Sequence, residues 1–156
     1  MKLKRFFFLA LICLIFFVNN SFAFNLNLIG INGKQTNVAN FKGKVVVMTF
    51  FDISCYYCQK EVPTLNKLYE LYGKNQKDVV IIGVDPFDHV EQIKLFGEQF
   101  SVKYPLYWGN YAQTAPLGGV FATPTSIFID KQGVPKVRVP GQIGERDFIE
   151  IIRSLK

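Results

Sequence analysis

Cys55 and Cys58 stand in the run VVVMTFFDISCYYCQKEVPTLNKLYELYG, and the place of that pair constrains the fold more than any other feature. Upstream, Val45 to Phe51 is a continuous apolar, β-branched and aromatic stretch of strand length, the kind buried on both faces of a sheet. Downstream, Val62, Leu65, Leu68, Tyr69 and Tyr72 recur at helical spacing, and Gly73 is a stop. The pair therefore falls where a buried strand hands over to a helix. Unpaired backbone N–H groups and the helix dipole favour an anion at such a junction, so the Cys55 thiolate is stabilised there. Cys58 lies one turn further in, and residues three apart on a helix are about 5–6 Å from each other, which suits a disulfide. Reversible thiol–disulfide exchange is the chemistry this implies.

Other readings of the pair have less behind them. Half a zinc site would need further ligands, but the chain has only one more cysteine, Cys13, and one histidine, His89. A purely structural disulfide closing so small a loop would add little stability. Copper held by the two sulfurs with His89 is the reading from another class, a binding or delivery module, and His89 between Asp88 and Val90 also reads as an ordinary surface residue.

The N-terminus carries Lys2, Lys4 and Arg5, then thirteen residues without a charge, FFFLALICLIFFV, then small residues at Ser21 and Ala23. This is the layout of a secretory signal peptide over residues 1–23, too short for the roughly 20 apolar residues of a spanning helix. The expectation is an exported, periplasmic protein, with an uncleaved membrane anchor as the alternative. Bulky Ile12 before Cys13 argues against lipidation there. The signal also accounts for three of the positive charges behind the formal net charge of +6. In residues 24–156 the basic residues are dispersed among acids, so nucleic acid is a poor partner.

The remaining chain alternates strand and helix. Asp78 to Val84 is a second buried-strand pattern, and Asp88 to Phe100 is helical, with Val90, Ile93, Phe96, Gly97 and Phe100 on the apolar side. Thr125–Asp130 and Val134–Val139 flank the link Lys131-Gln132-Gly133 as a hairpin. Phe148, Ile149, Ile151, Ile152 and Leu155 give a closing helix over about 145–155, and residues 24–44 read as short strands and turns. No repeat or linker divides residues 24–156, so a single domain is expected.

Phe41-Lys-Gly-Lys44 before a buried strand, Cys55-Tyr-Tyr-Cys58 with Glu61 and Pro63 behind it, and Thr123-Pro124-Thr125 before IFID and Gly133 resemble the TlpA/ResA-like branch of the thioredoxin superfamily. The resemblance covers essentially residues 24–156. It implies an α/β thioredoxin-like fold, a central mixed sheet flanked by helices, here with an N-terminal β extension. It also implies that Pro124 is cis and lies against the disulfide, with the backbone of Thr123 presented to a substrate, and X–Pro bonds do take the cis form at modest cost. Pro63 fits the bend of the family's active-site helix. The implied activity is thiol–disulfide exchange without a cofactor. The implied partners are client proteins with exposed disulfides or cysteine pairs, such as apocytochrome c, and a membrane thiol-electron transporter as donor, the protein acting as a monomer.

The chain also departs from the family. The residue before the first cysteine is commonly tryptophan, and here it is Ser54, leaving Tyr56, Tyr57 or Trp108 to replace the apolar platform, with Trp108 also readable as plain packing. Asp52, if near the sulfurs, opposes the thiolate and favours a reductant over an oxidant. An exported oxidant that installs disulfides is the alternative direction. Asp88 falls where reducing members carry an acid, and Glu61 follows Cys58 by three residues on the same helical face; both are candidates for proton transfer. Peroxidase chemistry of the related peroxiredoxins asks for threonine three residues before the reactive cysteine, and Asp52 stands there.

Overall fold

A computed structural model describes residues 24–156; the signal-peptide reading of residues 1–23 lies outside the described residues. Among the described residues no helix is long and apolar enough to cross a membrane. The expected mixed sheet with flanking helices forms. Its strands are β1 (Asn27–Gly30), β2 (Gln35–Asn37), β3 (Val45–Phe50), β4 (Val79–Asp85), β5 (Leu106–Gly109), β6 (Thr125–Ile129) and β7 (Pro135–Pro140). The helices are α1 (Tyr56–Leu71), α2 (Val90–Gln99) and α3 (Glu145–Ser154), with 3-10 segments at Val38–Phe41 and Tyr111–Leu117.

The strands lie in the order β2-β1-β5-β4-β3-β6-β7. β3 and β4, then β4 and β5, pair parallel, while β6 is antiparallel to β3 and β7 to β6. The N-terminal extension is the β1–β2 hairpin, added antiparallel to β5.

Period-two alternation along β3 explains why its whole run is apolar. Val45 and Val47 enter a core with Leu65 and Leu68 of α1, Ile93 and Phe96 of α2, and Phe148 and Ile152 of α3. Val46, Met48 and Phe50 enter a second core closed by Phe24, Leu26, Leu28, Val38, Leu117 and Val120, so there the N-terminal segment does the covering. Each residue of β3 and of β4 is buried. Gly83 on β4 permits close packing: a Cβ there would lie 2.7 Å from Leu106 Cδ2 and 3.0 Å from the Tyr104 ring.

α1 runs unbroken through Pro63, which lacks the N–H a helix interior uses. It ends with Tyr72 as cap and Gly73 at φ +72°, the left-handed stop expected from the sequence. Several boundaries shift by one or two residues, and two of these shifts lie beside the site. β4 runs to Asp85 rather than Val84, and α2 begins at Val90 rather than Asp88, because Asp85 and Asp88 are taken up in a turn between them. β5 and the Tyr111–Leu117 segment have no counterpart among the elements expected from the sequence.

Register places the chemistry. Phe50 at the end of β3 pairs with Val84 and with Thr125 at the start of β6, and Asp85 pairs with Trp108. The loops after β3, β4 and β5 and the one entering β6 therefore open at one edge of the sheet, the position where open α/β sheets carry their sites.

Candidate active site

Cys55 is the N-cap of α1, with extended backbone (φ −74°, ψ 110°), and its Sγ accepts the Cys58 N–H at 3.1 Å. Cys55 and Cys58 form a disulfide, their Cα atoms 5.3 Å apart. Cys55 is half-buried, whereas Cys58, one turn inside, is 4% exposed. The outer sulfur sits where helix N–H groups and dipole favour negative charge, and the inner one is shielded from solvent.

The loop before Cys55 is tied down residue by residue. Asp52 Oδ1 accepts from the Ser54 N–H at 2.7 Å and from the Ser54 hydroxyl at 2.6 Å, and its carbonyl accepts the Cys55 N–H at 3.1 Å. Asp88 Oδ2 accepts the Ile53 N–H at 3.3 Å, and Gln59 Nε2 donates to the Ile53 carbonyl at 3.3 Å. Asp52 thus serves the turn through Ser54, and Ser54, in the place of the expected aromatic residue, is exposed.

The Thr123–Pro124 peptide is cis. Pro124 is buried and its carbonyl accepts the Gly141 N–H at 2.8 Å, while Thr123 is half-buried and its own backbone N–H and C=O enter no hydrogen bond among the described residues. Thr125 Oγ1 donates to the Ala122 carbonyl at 2.6 Å and fixes the turn into β6.

Glu61 is 1% exposed. Its Oε1 accepts the Ile143 N–H at 3.0 Å from the loop before α3, and its Oε2 has no partner. Burial pushes its carboxyl up to about 7, against the lowering effect of the Ile143 bond. Buried Tyr104 lies within its influence: burial first and the Glu61 charge second raise the phenol.

The candidate acid Asp88 lies in the β4–α2 turn and is half-buried. Its neighbour Asp85 escaped the sequence reading, although an acid closing a wholly apolar strand just before Pro86 is the signal that could have found it. Asp85 is fully buried; Oδ1 accepts the Phe87 and Asp88 N–H groups at 2.8 and 3.1 Å, and Oδ2 has no partner. Burial pushes it up to about 7, the two backbone bonds oppose this, and the Asp88 carboxyl raises it further. Among the described residues, Glu61 Oε2 and Asp85 Oδ2 are the only buried side-chain polar atoms without a partner.

Of the aromatic candidates for a platform, Tyr56 and Tyr57 project to solvent with rings 5.5 Å apart, edge to face. Trp108 lies on β5, half-buried against the helix-side core. His89 caps α2, its N–H donating to Gln92 Oε1 at 3.2 Å. Among the described residues no three His, Cys, Asp or Glu side chains gather as metal ligands would.

A CxxC disulfide at the N-terminus of α1, set on a mixed sheet with a cis-proline entering β6, defines a thioredoxin-like thiol–disulfide oxidoreductase. The solved structures agree on the fold. The chain superposes on the thiol:disulfide interchange protein of Chlorobium tepidum with a TM-score of 0.74 at 21% identity, over 85% of this chain and 94% of that one. The exposed lipoprotein thioredoxin of Streptococcus pneumoniae strain TIGR4 gives 0.73 at 23% identity, over 84% and 99%. The chain belongs to the AhpC/TSA family, which it matches over residues 19–138, and is a ResA/TlpA-like member of the thioredoxin superfamily. It is 30% identical over 125 residues to the thiol-disulfide oxidoreductase ResA of Bacillus thuringiensis subsp. konkukian, covering 80% of this chain and 71% of that one. With the ResA of Geobacillus thermodenitrificans it shares 28% over 127 residues, covering 81% and 71%.

Proposed function

We propose that this protein is an exported reductant of disulfides in client proteins, working through Cys55 and Cys58 as a single thioredoxin-like domain of residues 24–156 behind a signal segment at 1–23. The observation that carries the roles is the difference in access: the half-buried Cys55 at the helix N-cap and the 4% exposed Cys58 behind it. Cys55 thiolate attacks one sulfur of a client disulfide; a Cys55–client bond forms and the other client sulfur leaves as a thiolate. Cys58 thiolate then attacks Cys55 Sγ and expels the remaining client sulfur. Two electrons pass to the client, whose sulfurs take up protons, and the Cys55–Cys58 disulfide of this structure is the product.

During the first step the client chain lies along Thr123–Pro124, where the unpaired backbone groups of Thr123 offer it a donor and an acceptor. Glu61, with its carboxyl near 7, accepts the Cys58 proton as that thiol is engaged, and Asp88 assists from the other side of the loop. The buried acids around the pair oppose a stabilised thiolate, which supports a reducing rather than an oxidising protein. The signal layout of residues 1–23 and the exposed lipoprotein among the structural neighbours support an exported, periplasmic setting. There the protein acts as a monomer, re-reduced by a membrane thiol-electron transporter, with apocytochrome c as a client.

Rapid acid quench of intact cells followed by mass-shifting alkylation tests this. The pair should be found mostly reduced in the exported compartment; a pair that stays oxidised with its donor present would point to an oxidant. Cys58→Ser should hold clients as mixed disulfides through Cys55, and a variant that traps nothing would overturn the mechanism.

A further inference from the structure

Asp85 is more than a cap for the turn that follows β4. Oδ1 alone accepts the Phe87 and Asp88 N–H groups, so an asparagine would cap equally well. The second oxygen is buried without a partner, and that burial penalises the charged form of the carboxyl. The same turn sets Asp88, and Asp88 Oδ2 holds the N–H of Ile53, two residues before Cys55. A short chain of contacts thus runs from the end of β4 to the loop that presents the reactive sulfur: Asp85 Oδ1 to Asp88 N–H, then Asp88 Oδ2 to Ile53 N–H.

We propose that Asp85 is a positioning residue for the redox centre, which through Asp88 fastens the Ile53–Cys55 loop and does so best while Asp85 carries a proton. With Asp85 protonated, the pair bears one charge at most. With Asp85 ionised, two carboxylates sit three residues apart in one tight turn, the repulsion falls on the Asp88 side chain, and the contact to Ile53 is the part able to yield. The other titratable groups on the surrounding elements are Asp52 beyond β3, Tyr107 on β5 and His89 at the start of α2, Cys55 and Cys58 being joined as a disulfide; the Asp88 carboxyl is the one that acts on Asp85. The burial-driven rise of Asp85 to about 7 places the change in a range an exported protein meets. This rests on the proposed redox role of the loop, but not on any client.

Amide hydrogen exchange of the oxidised full-length protein, followed by NMR from pH 5 to 9 and corrected for intrinsic rates, reads the contact directly. In the wild type, protection of the Ile53 N–H should fall at least about threefold as pH passes through 7, relative to Ile81 in the middle of β4. Asp85→Asn should abolish that fall while the Phe87 and Asp88 amides stay protected, and Glu61→Gln should leave it in place. An Ile53 protection factor flat across the range in the wild type would overturn the proposal, and needs no variant to fold. A fall that persists in Asp85→Asn would also overturn it. Failure of Cys58→Ser to trap clients, with the exchange profile as expected, would sink the client mechanism and leave this coupling standing.

Discussion

Glu61 Oε1 accepts the Ile143 N–H at 3.0 Å, joining the first turns of α1 to the loop before α3 across 82 residues of sequence. The bond satisfies one oxygen of a buried carboxyl and leaves the other without a partner, so the charged form is penalised. The native state holds a proton on Glu61 up to about pH 7, whereas the unfolded chain releases it near 4.5. Between those values the folded protein binds more protons, so stability falls as pH rises, by at most about 3 kcal/mol in all. Glu61→Gln keeps an acceptor for Ile143 and removes the titration. Urea unfolding should give similar stabilities for the two proteins at pH 4 and a variant more stable by about 1–3 kcal/mol at pH 8, with an unchanged slope. The same variant should slow release of clients held on Cys55 in the otherwise native protein, the step in which Cys58 gives up its proton.

The unequal exposure of the two sulfurs predicts unequal reactivity. In the reduced protein at neutral pH, iodoacetamide should modify Cys55 at least about tenfold faster than Cys58, read peptide by peptide in a mass spectrometer. Unfolding in urea should bring the two rates together. Equal rates in the folded protein would contradict the assignment of Cys55 as the attacking sulfur.

Gly83 gives a prediction about packing rather than chemistry. A methyl group there would lie 2.7 Å from Leu106 Cδ2, 3.0 Å from Tyr104 and 3.2 Å from Phe51, all in the helix-side core. Gly83→Ala should destabilise by about 1–3 kcal/mol, since close-packed rings cannot retreat without opening gaps elsewhere.

What the sequence disclosed follows from how local each signal is. The run Val45 to Phe51 and the spacing of Val62, Leu65 and Leu68 record burial directly, so the strand, helix and cysteine junction were legible. Gly73 and the Thr125–Val139 hairpin were equally plain. β5 was not: Leu106 to Gly109 is four residues long, preceded by proline, and held by partners on β1 and β4 that lie far away in sequence. Glu61 showed its helical face but not its burial, because the covering backbone at Ile143 comes from the other end of the chain. Asp85 was overlooked since an acid after a strand ordinarily reads as the beginning of a solvated loop, and here Pro86 behind it is buried as well.

The aromatic side chains left in solvent lead to the last prediction. Among the described residues seven large apolar side chains are exposed, and five of them, Tyr56, Tyr57, Phe87, Tyr111 and Phe121, come from the start of α1 and the loops that open at the disulfide's edge of the sheet. Phe87 and Tyr111 pack with their rings tilted and centroids 5.6 Å apart, and the Tyr111 hydroxyl donates to the Val120 carbonyl at 3.4 Å, next to Phe121. Phe121 is 80% exposed two residues before Thr123, so it contributes little to folding. Phe121→Ser should accordingly change stability by no more than about 0.5 kcal/mol. If clients lie along Thr123–Pro124, the same substitution should lower the yield of mixed disulfides formed by Cys58→Ser with unfolded polypeptides several-fold. Its reaction with a small aromatic disulfide, which has no polypeptide to lie along Thr123–Pro124, should keep its rate. Equal loss on both substrates would mean that Phe121 acts on the sulfur's environment, and no loss on either would place the client elsewhere on this edge.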